Sequence, residues 1–166
     1  MLINVTKGFA AGQSHLNYIA YADRLGGPSN TLCLPNNPEL NNITGPAGSL
    51  LYGTEFERDL FGPGAIDEDV PCALCRSTNT YTSVMIPGRK SCYSGWKLEY
   101  NGILASNHYA NKASSYICVD NHPEYLQGGK DDRDGNLLYT TTTKCGSLPC
   151  PPYTENALVN CVVCSK

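Results

Sequence analysis

The sequence predicts an all-β, disulfide-rich fold made of two tandem, diverged copies of one β unit packed with pseudo-two-fold symmetry. Three observations carry this expectation. Gly, Pro, Asn, Ser and Thr punctuate the chain every few residues and leave little room for helices. Nine cysteines fall within 166 residues, a density that reducing compartments rarely sustain for structural use. Four short motifs recur in the same order in the two halves of the chain, and recurrence of this kind marks a duplicated unit.

The motifs place the elements in order. Gly8-Phe-Ala-Ala-Gly12 lines up with Gly102-Ile-Leu-Ala-Ser106. Thr31-Leu-Cys-Leu-Pro-Asn-Asn-Pro-Glu39 returns as Tyr116-Ile-Cys-Val-Asp-Asn-His-Pro-Glu124, and the apolar cores of both read as short strands. Gly48-Ser-Leu-Leu-Tyr52 returns as Gly135-Asn-Leu-Leu-Tyr139. The β-branched, polar run from Leu137 to Lys144 reads as an edge strand. Val70-Pro-Cys-Ala-Leu-Cys75 returns as Val159-Asn-Cys-Val-Val-Cys164, and both pairs of cysteines read as buried strand ends. A linker from about Arg76 to Tyr81 divides residues 1–80, the first copy, from 81–166, the second, the two forming one compact domain. The second copy opens at Cys92-Tyr-Ser-Gly-Trp, whereas the first enters partway through that stretch. The first copy is therefore expected to be truncated, with the counterpart of Cys92 upstream of Met1.

The cysteines follow from the repeat. Cys145 and Cys150 have no equivalent in the first copy and are expected to bridge locally. Cys33 is expected to bridge to Cys72 or Cys75, and Cys118 to Cys161 or Cys164, with Cys92 taking the remaining one of that pair. Cys72 or Cys75 is then left over, buried and inert or available to link chains. Zinc is disfavoured because the two C-x-x-C pairs stand far apart in sequence. A redox role is disfavoured because their context is apolar and strand-like, with no helix to stabilise a thiolate.

Composition excludes several functions. A net charge of −3 offers no basic stripe for nucleic acid. No apolar run is long enough to span a membrane. The opening Met1-Leu-Ile-Asn-Val-Thr-Lys7 lacks the apolar segment and cleavage site of a leader, so if the protein is secreted a mature form is expected. The sequons Asn4-Val-Thr6 and Asn42-Ile-Thr44 agree with secretion. No G-x-S-x-G, H-E-x-x-H or phosphate-binding loop occurs, so no catalytic site is expected and the chain reads as non-enzymatic.

Candidate binding residues come from the repeated polar positions. His15 with Asn36 and Glu39, and His108 with Asn121 and Glu124, would form one polar site in each copy, beside Tyr18 and Tyr109. Asn, Glu and His provide planar polar groups for sugar hydroxyls, and tyrosine an aromatic face for the C–H side. The competing interpretation is that the Asn-x-Pro-Glu turns cap strands and the histidines bond backbone. Asp132, Asp134 and Asn136 resemble half a calcium loop, the one hint of a cofactor. Thr143 stands where such a loop needs its Glu, which favours a solvated turn.

Met85-Ile-Pro-Gly-Arg89, Cys92-Tyr-Ser-Gly-Trp96, Leu98-Glu-Tyr-Asn-Gly-Ile-Leu104, Cys145-Gly-Ser-Leu-Pro-Cys-Pro-Pro-Tyr153 and Cys161-Val-Val-Cys-Ser-Lys166 together carry a resemblance. Over nearly its whole length the chain resembles the cysteine-rich C-terminal domain of sponge short-chain (spongin-type) collagens and related free-standing invertebrate proteins. More remotely, the Cys-x-x-Gly-Trp opening and C-x-x-C ending are similar to each half of the non-collagenous domain of type IV collagen. The resemblance implies a tandem, all-β, disulfide-bonded fold that oligomerises. Two features depart from it: no run of Gly-X-Y triplets long enough for a triple helix occurs, and the first copy lacks its opening cysteine. The expectation is thus a secreted, lectin-like recognition module with duplicated carbohydrate sites. Its partners would be glycans or extracellular matrix proteins, and it would be a homo-oligomer. The alternative is a structural assembly or cross-linking domain of an extracellular matrix.

Overall fold

A computed structural model describes residues 2–12, 29–40, 51–108, 111–127, 129, 131–133 and 135–166, with the side chains of 2–6 left aside. Among these residues the fold is β throughout, apart from one 3-10 turn at Asp59–Phe61. Nine strands run in chain order: β1 Leu2–Gly12, β2 Leu32–Pro35, β3 Tyr52–Phe56, β4 Pro71–Ser77, β5 Ser83–Pro87, β6 Lys97–Ser106, β7 Ile117–Asp120, β8 Asn136–Thr140 and β9 Asn160–Ser165. They follow the path β2-β1-β3-β8-β6-β9-β5, with β4 added to β1 and β7 to β6.

Each half is organised around one long strand. In the first, β1 pairs antiparallel with β2 (Ala10 opposite Cys33), with β4 (Gly8 opposite Cys72) and with β3 (Gly12 opposite Tyr52). In the second, β6 pairs antiparallel with β7 (Leu104 opposite Cys118), with β9 (Gly102 opposite Cys161) and with β8 (Ser106 opposite Tyr139). The correspondence reaches single hydrogen bonds. Ala10 N donates to Val70 O and Val70 N to Thr54 O, just as Leu104 N donates to Val159 O and Val159 N to Thr141 O. Both long strands slip register at the same place, between Asn4 and Thr6 and between Leu98 and Tyr100, where one extra residue forms a bulge.

Glycine is required where flanking strands crowd the long one. A Cβ at Gly8 would lie 1.6 Å from Leu34 O, and one at Gly102 would lie 1.7 Å from Val119 O. No side chain fits at either position, which gives the repeated Gly a steric cause.

The halves join where β3 and β8 run parallel, Thr54 beside Asn136 and Phe56 beside Leu138. Asn136 Nδ2 donates to Thr54 Oγ1 at 2.8 Å, and both residues are buried. The core beneath this seam mixes the halves: Ala10, Phe56, Phe61, Ala65 and Val70 pack with Ala105 and Leu138. The Phe56 and Phe61 rings lie 4.8 Å apart. The run starting at Leu137 is therefore interior strand, not edge. Two consecutive leucines, Leu137 and Leu138, are both buried because β8 is covered on both faces.

Four disulfides staple the strands: Cys33–Cys72, Cys92–Cys164, Cys118–Cys161 and Cys145–Cys150. Cys33–Cys72 and Cys118–Cys161 occupy equivalent places in the two halves, each with Cα atoms 5.7 Å apart. Cys75 is the free cysteine and it is exposed. Cys161 and Cys164 are fully buried, as expected of strand ends, but the expectation that the C-x-x-C of the first half is also buried fails at Cys75. The reason lies in the neighbours: β9 lies between β6 and β5, whereas β4 pairs with β1 alone among the described residues.

Candidate binding cleft

A cleft of about 1450 Å³ opens between β1, β2 and β4 of the first half and β6, β7 and β9 of the second. Its walls differ in charge. Lys7 and Arg76 line the first-half side, whereas Glu99, Asp120 and Glu124 line the second. Aromatic and apolar surface is interleaved with these groups: Phe9 and Leu32 are 47% and 42% exposed, Tyr81 is fully exposed, and Tyr100 and Tyr125 are half-buried.

Local structure fixes several of these side chains. Glu99 is the extra residue of the β6 bulge, and its side chain is only 4% exposed. Its carboxylate accepts hydrogen bonds from Lys97 Nζ at 2.7 Å, from Ser77 Oγ at the end of β4 and from Ser165 Oγ at the end of β9. Lys97, then Ser165 and Ser77, hold its pKa down to about 2. One carboxylate therefore ties the last strand of the first half to two strands of the second. Tyr100 donates its hydroxyl hydrogen to Cys118 O at 3.1 Å. Burial, then the Asp120 charge, pushes its pKa up, so the phenol stays protonated and neutral. Asp120 ends β7 and accepts from His122 N at 2.9 Å. That local bond turns the chain and leaves the His122 ring almost fully in solvent.

Of the residues singled out from sequence, Asn36 and Glu124 line this cleft, Asn36 just past β2 and Glu124 just past β7. Both are exposed. They come from opposite halves, so the cleft is lined by one residue of each repeated motif, and not by the same one. Glu39 and Asn121 are exposed but do not line the cleft. His108 is half-buried beyond the end of β6, its ring packed edge-on against Tyr139 at 5.1 Å, and it does not line the cleft either. The expected grouping of His108 with Asn121 and Glu124 is thus not what surrounds the cleft. His15, Tyr18 and Tyr109 lie outside the described residues, as does the sequon at Asn42.

The half calcium loop divides. Asn136 is buried in β8 with its amide committed to Thr54, and Asp134 lies outside the described residues. Asp132 instead approaches Glu57 and Asp67, with ligand oxygens of the three within 4.8 Å of one another. Sequence reasoning missed Glu99, Tyr100, Asp120, His122 and Tyr125. Asp120 and His122 fall inside the repeated motif, at places where the first copy has Pro35 and Asn37, and that difference between the copies was the available signal. Nothing local marks Glu99 or Tyr100, because their place depends on a bulge.

No helix among the described residues is long and apolar enough to cross a membrane. The chain matches no protein-family model, no curated protein and no solved structure.

Proposed function

We propose that the protein is a secreted, non-enzymatic recognition module that binds a carbohydrate in the cleft between its halves. The observation that carries this reading is that Asn36 and Glu124 line one cleft that Tyr100 and Tyr125 also line. An amide and a carboxylate match sugar hydroxyls, and tyrosine rings match the apolar face of a pyranose. The polar groups come from both halves, so the reading is one composite site per chain rather than two equivalent ones. Four disulfides support an extracellular setting.

The test is binding of the unreduced protein to a broad glycan array, with and without calcium. Selective binding is expected, weakened about tenfold or more by Asn36→Ala or Glu124→Gln, since each removes a polar partner of the ligand. Glu39→Gln is expected to bind like the wild type. A blank array with folded protein overturns the reading, and loss on Glu39→Gln comparable to that on Glu124→Gln restores two equivalent sites.

A second reading is a structural assembly domain of an extracellular matrix. It is favoured by β4, which pairs with β1 alone among the described residues and carries the exposed Cys75, and by the resemblance to the C-terminal domain of short-chain collagens.

A further inference from the structure

The two walls of the cleft differ in a way that traces to the repeated motif. Where the second copy has Asp120 and His122, the first has Pro35 and Asn37. Glu124 lines the cleft, whereas its counterpart Glu39 does not. Other acids of the chain are matched by cations: Glu99 by Lys97, Asp131 by Arg133 and Glu155 by Lys144. Among the described residues no Lys or Arg pairs with Asp120 or Glu124, and both are exposed. The partner of Asp120 is His122, whose backbone N donates to it at 2.9 Å. The same wall is aromatic. Tyr100 and Tyr125 line it half-buried. The Tyr100 hydroxyl is committed to Cys118 O at 3.1 Å, so ring surface is what Tyr100 offers a ligand. After burial, the charge of Asp120 is the next cause of the raised Tyr100 pKa, which sets that carboxylate close to the phenol.

We propose that the ligand of this cleft is a segment of a linear amino-sugar polymer with free amines, its ammonium groups held by Asp120 and Glu124 and its rings by Tyr100 and Tyr125. The inference rests on the carbohydrate reading above and names the class of sugar. An ammonium gives each of these carboxylates the cation it lacks, through charge-assisted hydrogen bonds. Tyrosine faces carry negative charge, so they attract a cation and disfavour an anionic sugar on the same wall. Lys7 and Arg76 line the opposite wall and repel an ammonium, which fixes the side it faces. Asn36 offers an amide, which suits the hydroxyls instead. Pockets that hold a drug-sized ligand span about 300–1,000 Å³. This cleft, at about 1450 Å³, has room for several linked rings. Asp120, Glu124 and both tyrosines belong to β6, to β7 or to the segment after β7, so the site does not depend on β4.

Titration calorimetry of the unreduced protein at neutral pH, with a glucosamine tetramer and its fully N-acetylated form, tests the inference. Acetylation removes the charge and leaves the rings, so the free amine is expected to bind about tenfold more tightly or better. Asp120→Asn and Glu124→Gln are each expected to cut that preference by about threefold or more. Asp120→Asn keeps the acceptor that His122 N uses. Asp132→Asn removes an equal charge outside the cleft and is expected to leave the preference intact. Tetralysine, a cation without rings, is expected to bind about tenfold more weakly than the glucosamine tetramer. Equal or tighter binding of the N-acetylated tetramer, or of tetralysine, overturns the inference. So does a preference that survives Asp120→Asn combined with Glu124→Gln. If other glycans of the array bind while both tetramers fail, or if sulfated or uronic sugars bind best, the class is wrong and the carbohydrate reading stands. A blank array removes the reading and the inference together.

Discussion

Glu99 concentrates much of the electrostatics of the molecule in one side chain. Its folded pKa, about 2, lies below the ordinary glutamate value of 4.5 because Lys97, Ser165 and Ser77 all bond to the ionised form. A depressed acid contributes stability that is fully present above its unfolded pKa and is lost as pH falls through the folded one. The window is thus from about pH 4.5 down to about pH 2. Glu99→Gln is expected to lower stability at neutral pH by on the order of 1–3 kcal/mol, because three donors lose a charged acceptor. Chemical denaturation across that window checks it: the wild type should lose its advantage over the variant as the acid protonates. A variant that tracks the wild type at every pH would remove Glu99 from this role. Asp69 works in the opposite sense, its pKa raised first by burial and then by Glu68. Its ionised form therefore weakens the fold, and that cost is relieved as pH falls toward the ordinary aspartate range.

At the scale of strands, the disulfides do unequal work. Cys33–Cys72 and Cys118–Cys161 tie each half's short outer strand to the strand on the far side of β1 or β6, across 39 and 43 residues. Cys145–Cys150 closes a loop with a separation of 5. In the chain-entropy model the long bridges are worth about 4 kcal/mol each and the short one about 2 kcal/mol. Replacing Cys118 and Cys161 together by Ala should therefore lower the free energy of unfolding about twice as much as replacing Cys145 and Cys150. Equal losses would show that native-state geometry, not the unfolded chain, sets their worth. The same scale explains the bare edge of β4. Its residues Pro71-Cys-Ala-Leu-Cys75 are as apolar as a covered strand, yet β1 is its sole partner among the described residues.

Across the whole molecule, the parallel β3–β8 seam joins the two halves. Thr54 and Asn136 bond to each other in its buried centre, and the core around them draws on both halves. Thr54→Val leaves the Asn136 amide buried without its partner and is expected to cost about 1–3 kcal/mol. Hydrogen exchange of β1 and β6 amides should then accelerate together by the same factor. Exchange that rises in one half alone would mean that the halves unfold separately. The cleft depends on the same closure, since its two walls come from different halves.

The strand class was readable along the chain, the Cys145–Cys150 bridge was named from it, and the partners of Cys33 and Cys118 were each narrowed to two cysteines. Gly punctuation and apolar runs are local properties, and a recurring motif points to recurring partners. Cys33 and Cys118 were legible to within two partners for that reason, and Cys145–Cys150 because neither has an equivalent in the first half. Two of the expected polar residues, Asn36 and Glu124, reached the cleft, but their companions changed. Which residues of the two copies face each other depends on how the halves close, and no local pattern records that. Leu137 looked like an edge residue and is buried, because burial is set by neighbours distant in sequence. Cys75 and Cys164 stand in almost the same motif, yet one is bare and the other sealed. The chain itself determined that both would be strand cysteines. The tertiary structure alone decided their fates, because a second strand and a second thiol arrive at β9 from β5 and Cys92 and, among the described residues, none arrives at β4.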